Sequence, residues 1–152
     1  MASIKRGSQF TVHVTKVDYK GWQNSYRLSN DCVELIKITD IRPHIICIGF
    51  SGDKNEFKEY PEQVGKTGGD EWRIYGGHRL WLAPENMPRS YSPDNSPVDF
   101  KKHPGLVRLI QPVEASTGIQ LKIDIALDTE SADVPVTRRL RNFNLWSMTL
   151  TP

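Results

Sequence analysis

Residues 119–127 read IQLKIDIAL, with Ile119, Leu121, Ile123, Ile125 and Leu127 alternating with Gln120, Lys122, Asp124 and Ala126. A side-chain period of two with one apolar face is the signature of a strand that lays one side on a core and keeps the other wet. FTVHVTKV repeats the pattern through Phe10, Val12 and Val14, and Val134, Val136 and the residues toward Leu140 predict a further strand. CVELIKITDI begins in alternation and changes phase between Leu35 and Ile36, as a β-bulge or a strand buried on both faces would. IICIGF is short and continuously apolar, which fits a buried central strand.

Turn residues punctuate these runs at SGDKN, VGKTGGDE, NMPRSYSPDNSP, HPG and LDTESAD. Residues 57–64 have room for one helical turn, but no long stretch carries a 3.6-residue repeat. Short strands joined by tight connections predict an all-β sandwich, and 152 residues without a dividing linker predict one domain over 1–152.

Composition bounds the partners. Twenty basic against eighteen acidic residues leave +2, far from the cationic balance of a nucleic-acid binder, so none is expected. No apolar run approaches the ~18 residues that would span a bilayer, so no membrane is expected either. MASIKRGSQF has no apolar stretch after its basic residues, and the expected location is cytoplasmic. Cys32 and Cys47 lie in apolar contexts and read as buried reduced thiols, with a disulfide left open. No third cysteine or closely spaced histidine completes a ligand set, and neither a metal nor a cofactor is expected.

The chemistry gathers in residues 72–98, WRIYGGHRLWLAPENMPRSYSPDNSPV. Aromatic faces beside fixed hydrogen-bonding groups suit a polar, ring-shaped ligand such as a sugar. If HRLWLA is extended, His78, Leu80 and Leu82 take one face and Arg79, Trp81 and Ala83 the other. Gly76-Gly77 lets the backbone bend or a second strand approach closely. His78 is a candidate hydrogen-bonding or acid–base group at a cleft edge. Arg79 offers planar donors, Trp81 and Tyr91 offer ring faces, and Asp94 and Asn95 offer hydrogen bonds among restricting prolines.

Each group also has a plainer role: His78 bonded to a loop carbonyl, Arg79 paired with Glu85 or Asp94, Trp81 in a core, Asp94-Asn95 forming a turn. Arg42 and His44 share a face of DIRPHII, read as the turn into a strand. Arg138, Arg139 and Arg141 join Lys101 and Lys102 in a basic patch only if the fold brings them together.

SNDCVELIKITDIRPHIICIGFSGDKNEF, YGGHRLWLAPENMPRSYSPDNSPV and QPVEASTGIQLKIDIAL resemble an uncharacterised, mostly bacterial family allied to the galactose mutarotases and aldose 1-epimerases, over about Tyr26 to Asn142. The resemblance implies half of a galactose-mutarotase-like supersandwich and a carbohydrate-related cleft, with His78, Arg79, Trp81, Glu85, Tyr91 and Asp94 on the motif. Relatives of that kind are nearly twice as long, and NLWSMTLTP falls near the middle of their pattern. The glutamate that takes the anomeric proton late in a mutarotase has no counterpart here. A missing half would also leave sheet surface and edges uncovered, so a homodimer is expected. The leading expectation is a carbohydrate-binding protein. The alternatives are a mutarotase-like enzyme completed by a second subunit, with His78 as acid and Glu85 or a partner carboxylate as base, and a structural or interaction protein.

Overall fold

The computed structural model describes residues 12–93 and 95–151. Phe10 and Asp94 therefore lie outside the described residues. The chain is all-β, with two antiparallel sheets and no α-helix among the described residues. The first sheet runs β1 (His13–Tyr19), β2 (Trp22–Ser29), β3 (Val33–Ile38), β4 (His44–Phe50) and the two-residue β5 (His78–Arg79), in that spatial order. The second runs β6 (Asp99–His103), β7 (Leu106–Ile110), β8 (Ile119–Ile125) and β9 (Val136–Asn142).

IQLKIDIAL forms β8 between β7 and β9, and its alternate residues Ile119, Leu121, Ile123 and Ile125 are fully buried. They share one core with Leu28, Val33, Leu35 and Ile45 of the first sheet, so the two sheets face each other as a sandwich. Tyr26 and Phe100 stack across the same space, ring centroids 3.8 Å apart. Asp124 turns the other way along β8 and is clamped by Arg108 Nε (2.6 Å) and Nη2 (2.8 Å) from β7 and by Arg139 from β9. Hydrogen bonding from Arg108 leads the effects that hold the Asp124 carboxyl down to about 2.

Of the two readings of CVELIKITDI, burial on both faces is the one realised; the bulge lies on the neighbouring strand instead. β3 is buried on both faces: Val33 and Leu35 face the sandwich, whereas Ile36 and Ile38 join a second core with Trp22, Ile41, Ile46, Cys47 and Tyr75. The extra residue sits on β4, because Ile36 opposes Cys47 while Lys37 opposes Ile45, leaving Ile46 unpaired. β4 lies between β3 and β5, as a continuously apolar strand should. The room for a helical turn near residue 60 is used: Val64 N donates to Tyr60 O at 3.1 Å. Among the described residues Cys32 is half-buried, Cys47 is buried, and both are free thiols.

One polar group sits inside the sandwich. Lys37 is fully buried, with Nζ 4.9 Å above the Phe100 ring and no hydrogen-bond partner among the described residues. Burial, with help from Lys102, pushes its amine down to about 6. The arginines of β9 and the lysines of β6 lie on opposite edges of the second sheet, so they form no common basic patch. No helix of the described residues is long and apolar enough to cross a membrane.

Candidate functional site

The central segment enters the fold by laying β5 along β4, with His44 opposite Arg79 and Ile45 opposite His78. Gly76 and Gly77 make this approach possible. Their φ angles are +108° and +67°, and a Cβ on Gly77 would stand 2.3 Å from the Ile45 carbonyl oxygen. Downstream, Ala83 and Thr151 exchange backbone hydrogen bonds of 2.8 and 3.0 Å, which hold the far end of HRLWLA.

The predicted alternation holds. Leu80 and Leu82 enter the core between the sheets. On the opposite face the Arg79 guanidinium lies 4.1 Å from the Trp81 ring centroid and 4.8 Å from that of Trp72. Tyr91 completes the group. Trp72, Trp81 and Tyr91 meet pairwise at 5.3–6.0 Å with interplanar angles of 72–87°. Edge-to-face contact puts the positive rim of one ring on the negative face of the next, and a cation over those faces adds to the attraction. All four side chains are half-buried.

A short 3-10 turn, Arg89–Tyr91, carries Tyr91. Buried Ser90 anchors it: its N–H donates to Asn86 O at 2.8 Å and its hydroxyl to Leu82 O at 3.3 Å. Arg89 donates to the Pro84 carbonyl, and the Tyr91 hydroxyl donates to Glu85, which is exposed. Arg79, Trp81, Tyr91 and Glu85 thus form one patch, and Trp72, absent from the sequence-derived set, is the second indole against Arg79. Its signal was its place nine residues upstream of Trp81, across the glycine pair.

His78 belongs elsewhere. It lies on the other face of β5, half-buried, with Nε2 in contact with Arg138 Nη2 of β9. A guanidinium only donates, so Nε2 accepts and the ring proton resides on Nδ1. Burial first, then the charge of Arg138 and the nearby His44, hold His78 below its ordinary pKa. At neutral pH it is an uncharged imidazole. His78 and Glu85 have different partners and share no hydrogen bond or ion pair.

Asn95 is a framework residue. It is buried, its Oδ1 accepts from the Tyr75 hydroxyl at 2.5 Å, and its Nδ2 donates to Gly69 O (2.9 Å) and Glu71 O (2.8 Å). Its amide therefore ties the loop before β5 to the loop after it. Asp94 lies outside the described residues. No group of three or more His, Cys, Asp or Glu among the described residues is arranged to hold a metal ion. No family model, curated protein or solved structure matches the chain.

Proposed function

We propose that the protein binds carbohydrate, through the patch formed by Trp72, Arg79, Trp81, Tyr91 and Glu85. The observation that carries this reading is the mutual packing of three half-buried aromatic rings, two of them against one guanidinium, with Tyr91 bonded to an exposed carboxylate at the border. Rings packed edge-to-face are held in place, so the half-buried aromatic surface they leave open is preorganised for the C–H face of a pyranose. Glu85 keeps acceptor capacity for a sugar hydroxyl beside it. Titration of D-galactose and D-glucose, followed by tryptophan fluorescence and calorimetry, tests the reading. Saturable binding lost in Tyr91→Ala is expected, and no response to either sugar or to a wider panel would end it.

The acid–base alternative draws less support. A general acid must carry its proton at working pH, yet His78 is held neutral beside Arg138, and Glu85 bonds to Tyr91 instead. Polarimetry on fresh α-D-galactose checks it, with a rate equal to that of His78→Ala as the expected result.

The proposal includes a homodimer in the cytoplasm. Its support is the exposed run Phe143, Leu145 and Trp146, 47%, 102% and 64% accessible, immediately beyond the edge strand β9. Free thiols at Cys32 and Cys47 suit a reducing compartment.

A further inference from the structure

At one end of the sandwich the two sheets part. The turn between β6 and β7 and the residues that follow β8 stand there opposite Val12 and β1, around a cleft of about 390 Å³. Half-buried Val12, Val14, Leu106 and Ala126 form its sides, and Leu28 and Leu127 of the main core close its bottom. Facing sheets lie only about 10 Å apart, so the space between them is a slot that admits a thin chain more readily than a broad ring system.

The mouth carries charge of one sign. Lys102 and His103 line it, both exposed, and no carboxylate among the described residues does. Lys102 Nζ donates to Val14 O at 3.4 Å, and an ammonium has further N–H donors to offer a ligand. Asp128, next in the chain to the rim residue Thr129, turns its carboxylate into its own loop, where it accepts from Glu130 N at 2.8 Å and Ser131 N at 2.9 Å. An apolar slot with such an ammonium at its mouth matches a molecule that is apolar along its length and anionic at one end.

From this arrangement we propose that the cleft takes the alkyl chain of a medium-chain fatty acid, with its carboxylate at Lys102. The proposal goes beyond the carbohydrate reading and uses none of its residues, so either can fail without the other. Burial of the chain supplies the affinity, at roughly 0.8 kcal/mol for each CH2 removed from water, which is about fourfold in the dissociation constant. The ammonium sets the direction, with the head group in water and the tail toward Leu28 and Leu127. An exposed ion pair of this kind adds only about two- to fivefold.

The test uses the full chain, calorimetry, and hexanoate, octanoate and decanoate below their micelle concentrations. Affinity is expected to rise about fourfold with each added methylene. Lys102→Met is expected to weaken decanoate binding about two- to fivefold. Thr129→Trp, which fills the mouth from an exposed rim position, is expected to weaken it at least tenfold, and both variants should keep the parent circular dichroism spectrum. D-galactose is expected not to compete. Absence of decanoate binding, equal affinity along the series, or unchanged affinity in Thr129→Trp overturns the proposal, and unchanged affinity in Lys102→Met overturns the placement of the carboxylate. Phe10 stands in step with Val12 and Val14 in the sequence. Decanoate binding gained only in Phe10→Asp overturns the proposal in favour of the chain's own first residues as occupant. A dimer lost in Thr129→Trp, with no decanoate bound by the parent chain, overturns it in favour of a second copy.

Discussion

The guanidinium of Arg79 sits 4.1 Å from the ring centroid of Trp81 and 4.8 Å from that of Trp72, and both indoles meet Tyr91 edge-on. A flat cation held against indole is worth about 0.5–2 kcal/mol, more where water is excluded. Arg79→Ala should therefore lower stability by about 1–2 kcal/mol in urea unfolding followed by tryptophan fluorescence. Arg79→Lys should recover only part of that loss, because a lysine ammonium has no plane to stack.

The contact between His78 and Arg138 joins the first sheet to the edge of the second and keeps the imidazole neutral. Removing the arginine removes one of the effects that lower the histidine pKa, after burial itself. The His78 pKa, followed by NMR of the ring protons, should rise in Arg138→Ala toward the ordinary value of 6.5. A titration unchanged by the substitution would mean that the contact does not persist in solution.

Lys37 makes a separate prediction about pH. Its amine is held at about 6 in the fold against an ordinary 10.5, so between those values the unfolded chain carries a proton that the folded chain lacks. Stability therefore rises with pH across that window, by roughly 1.4 kcal/mol per unit at most, and the contribution is flat below about 6, where both states are protonated. Lys37→Met, similar in volume and without the charge, should be about 2–4 kcal/mol more stable at pH 7 and should lose this rise. Denaturation midpoints at pH 5, 7 and 9 for both chains check it.

The proposed dimer makes a prediction through the exposed apolar run beyond β9. Leu145→Asp with Trp146→Asp should convert a dimer, measured by sedimentation at micromolar concentration, to a monomer without changing the strand signal in circular dichroism. A parent chain that is already monomeric at that concentration removes the dimer from the proposal. The arginines of β9 act against simple edge-to-edge pairing, since two copies would set like charges side by side, so the contact is expected to use the apolar run instead.

Much of the sandwich was legible from residue order. Strands β1, β3, β4, β8 and β9 follow from alternation or apolar runs, and the face assignment of HRLWLA follows from the strand period. β2, β6 and β7 are not legible in the same way. WQNSYRLS buries only Trp22, Ser25 and Leu28, and DFKKH is exposed except for half-buried Phe100, so their apolar content is too thin for a periodic signal. HPG marked the turn between β6 and β7 without identifying the strands on either side.

The sequence by itself determined the all-β class, the two faces of the segment after Gly77, and the concentration of ring and charged groups in residues 72–98. These are local properties, because strand period and turn chemistry depend on neighbouring residues along one backbone. Only the tertiary structure decided that Arg79 lies against Trp72 and Trp81, that His78 meets Arg138 sixty residues away, and that Arg42 pairs with Glu114 seventy-two residues away. Those partners are set by sheet order and by which loops share one end of the sandwich. Residue spacing carries no record of either: it separates His78 and Arg79 onto opposite faces of a strand, but only the assembled sheets supply Arg138 to one and the two indoles to the other.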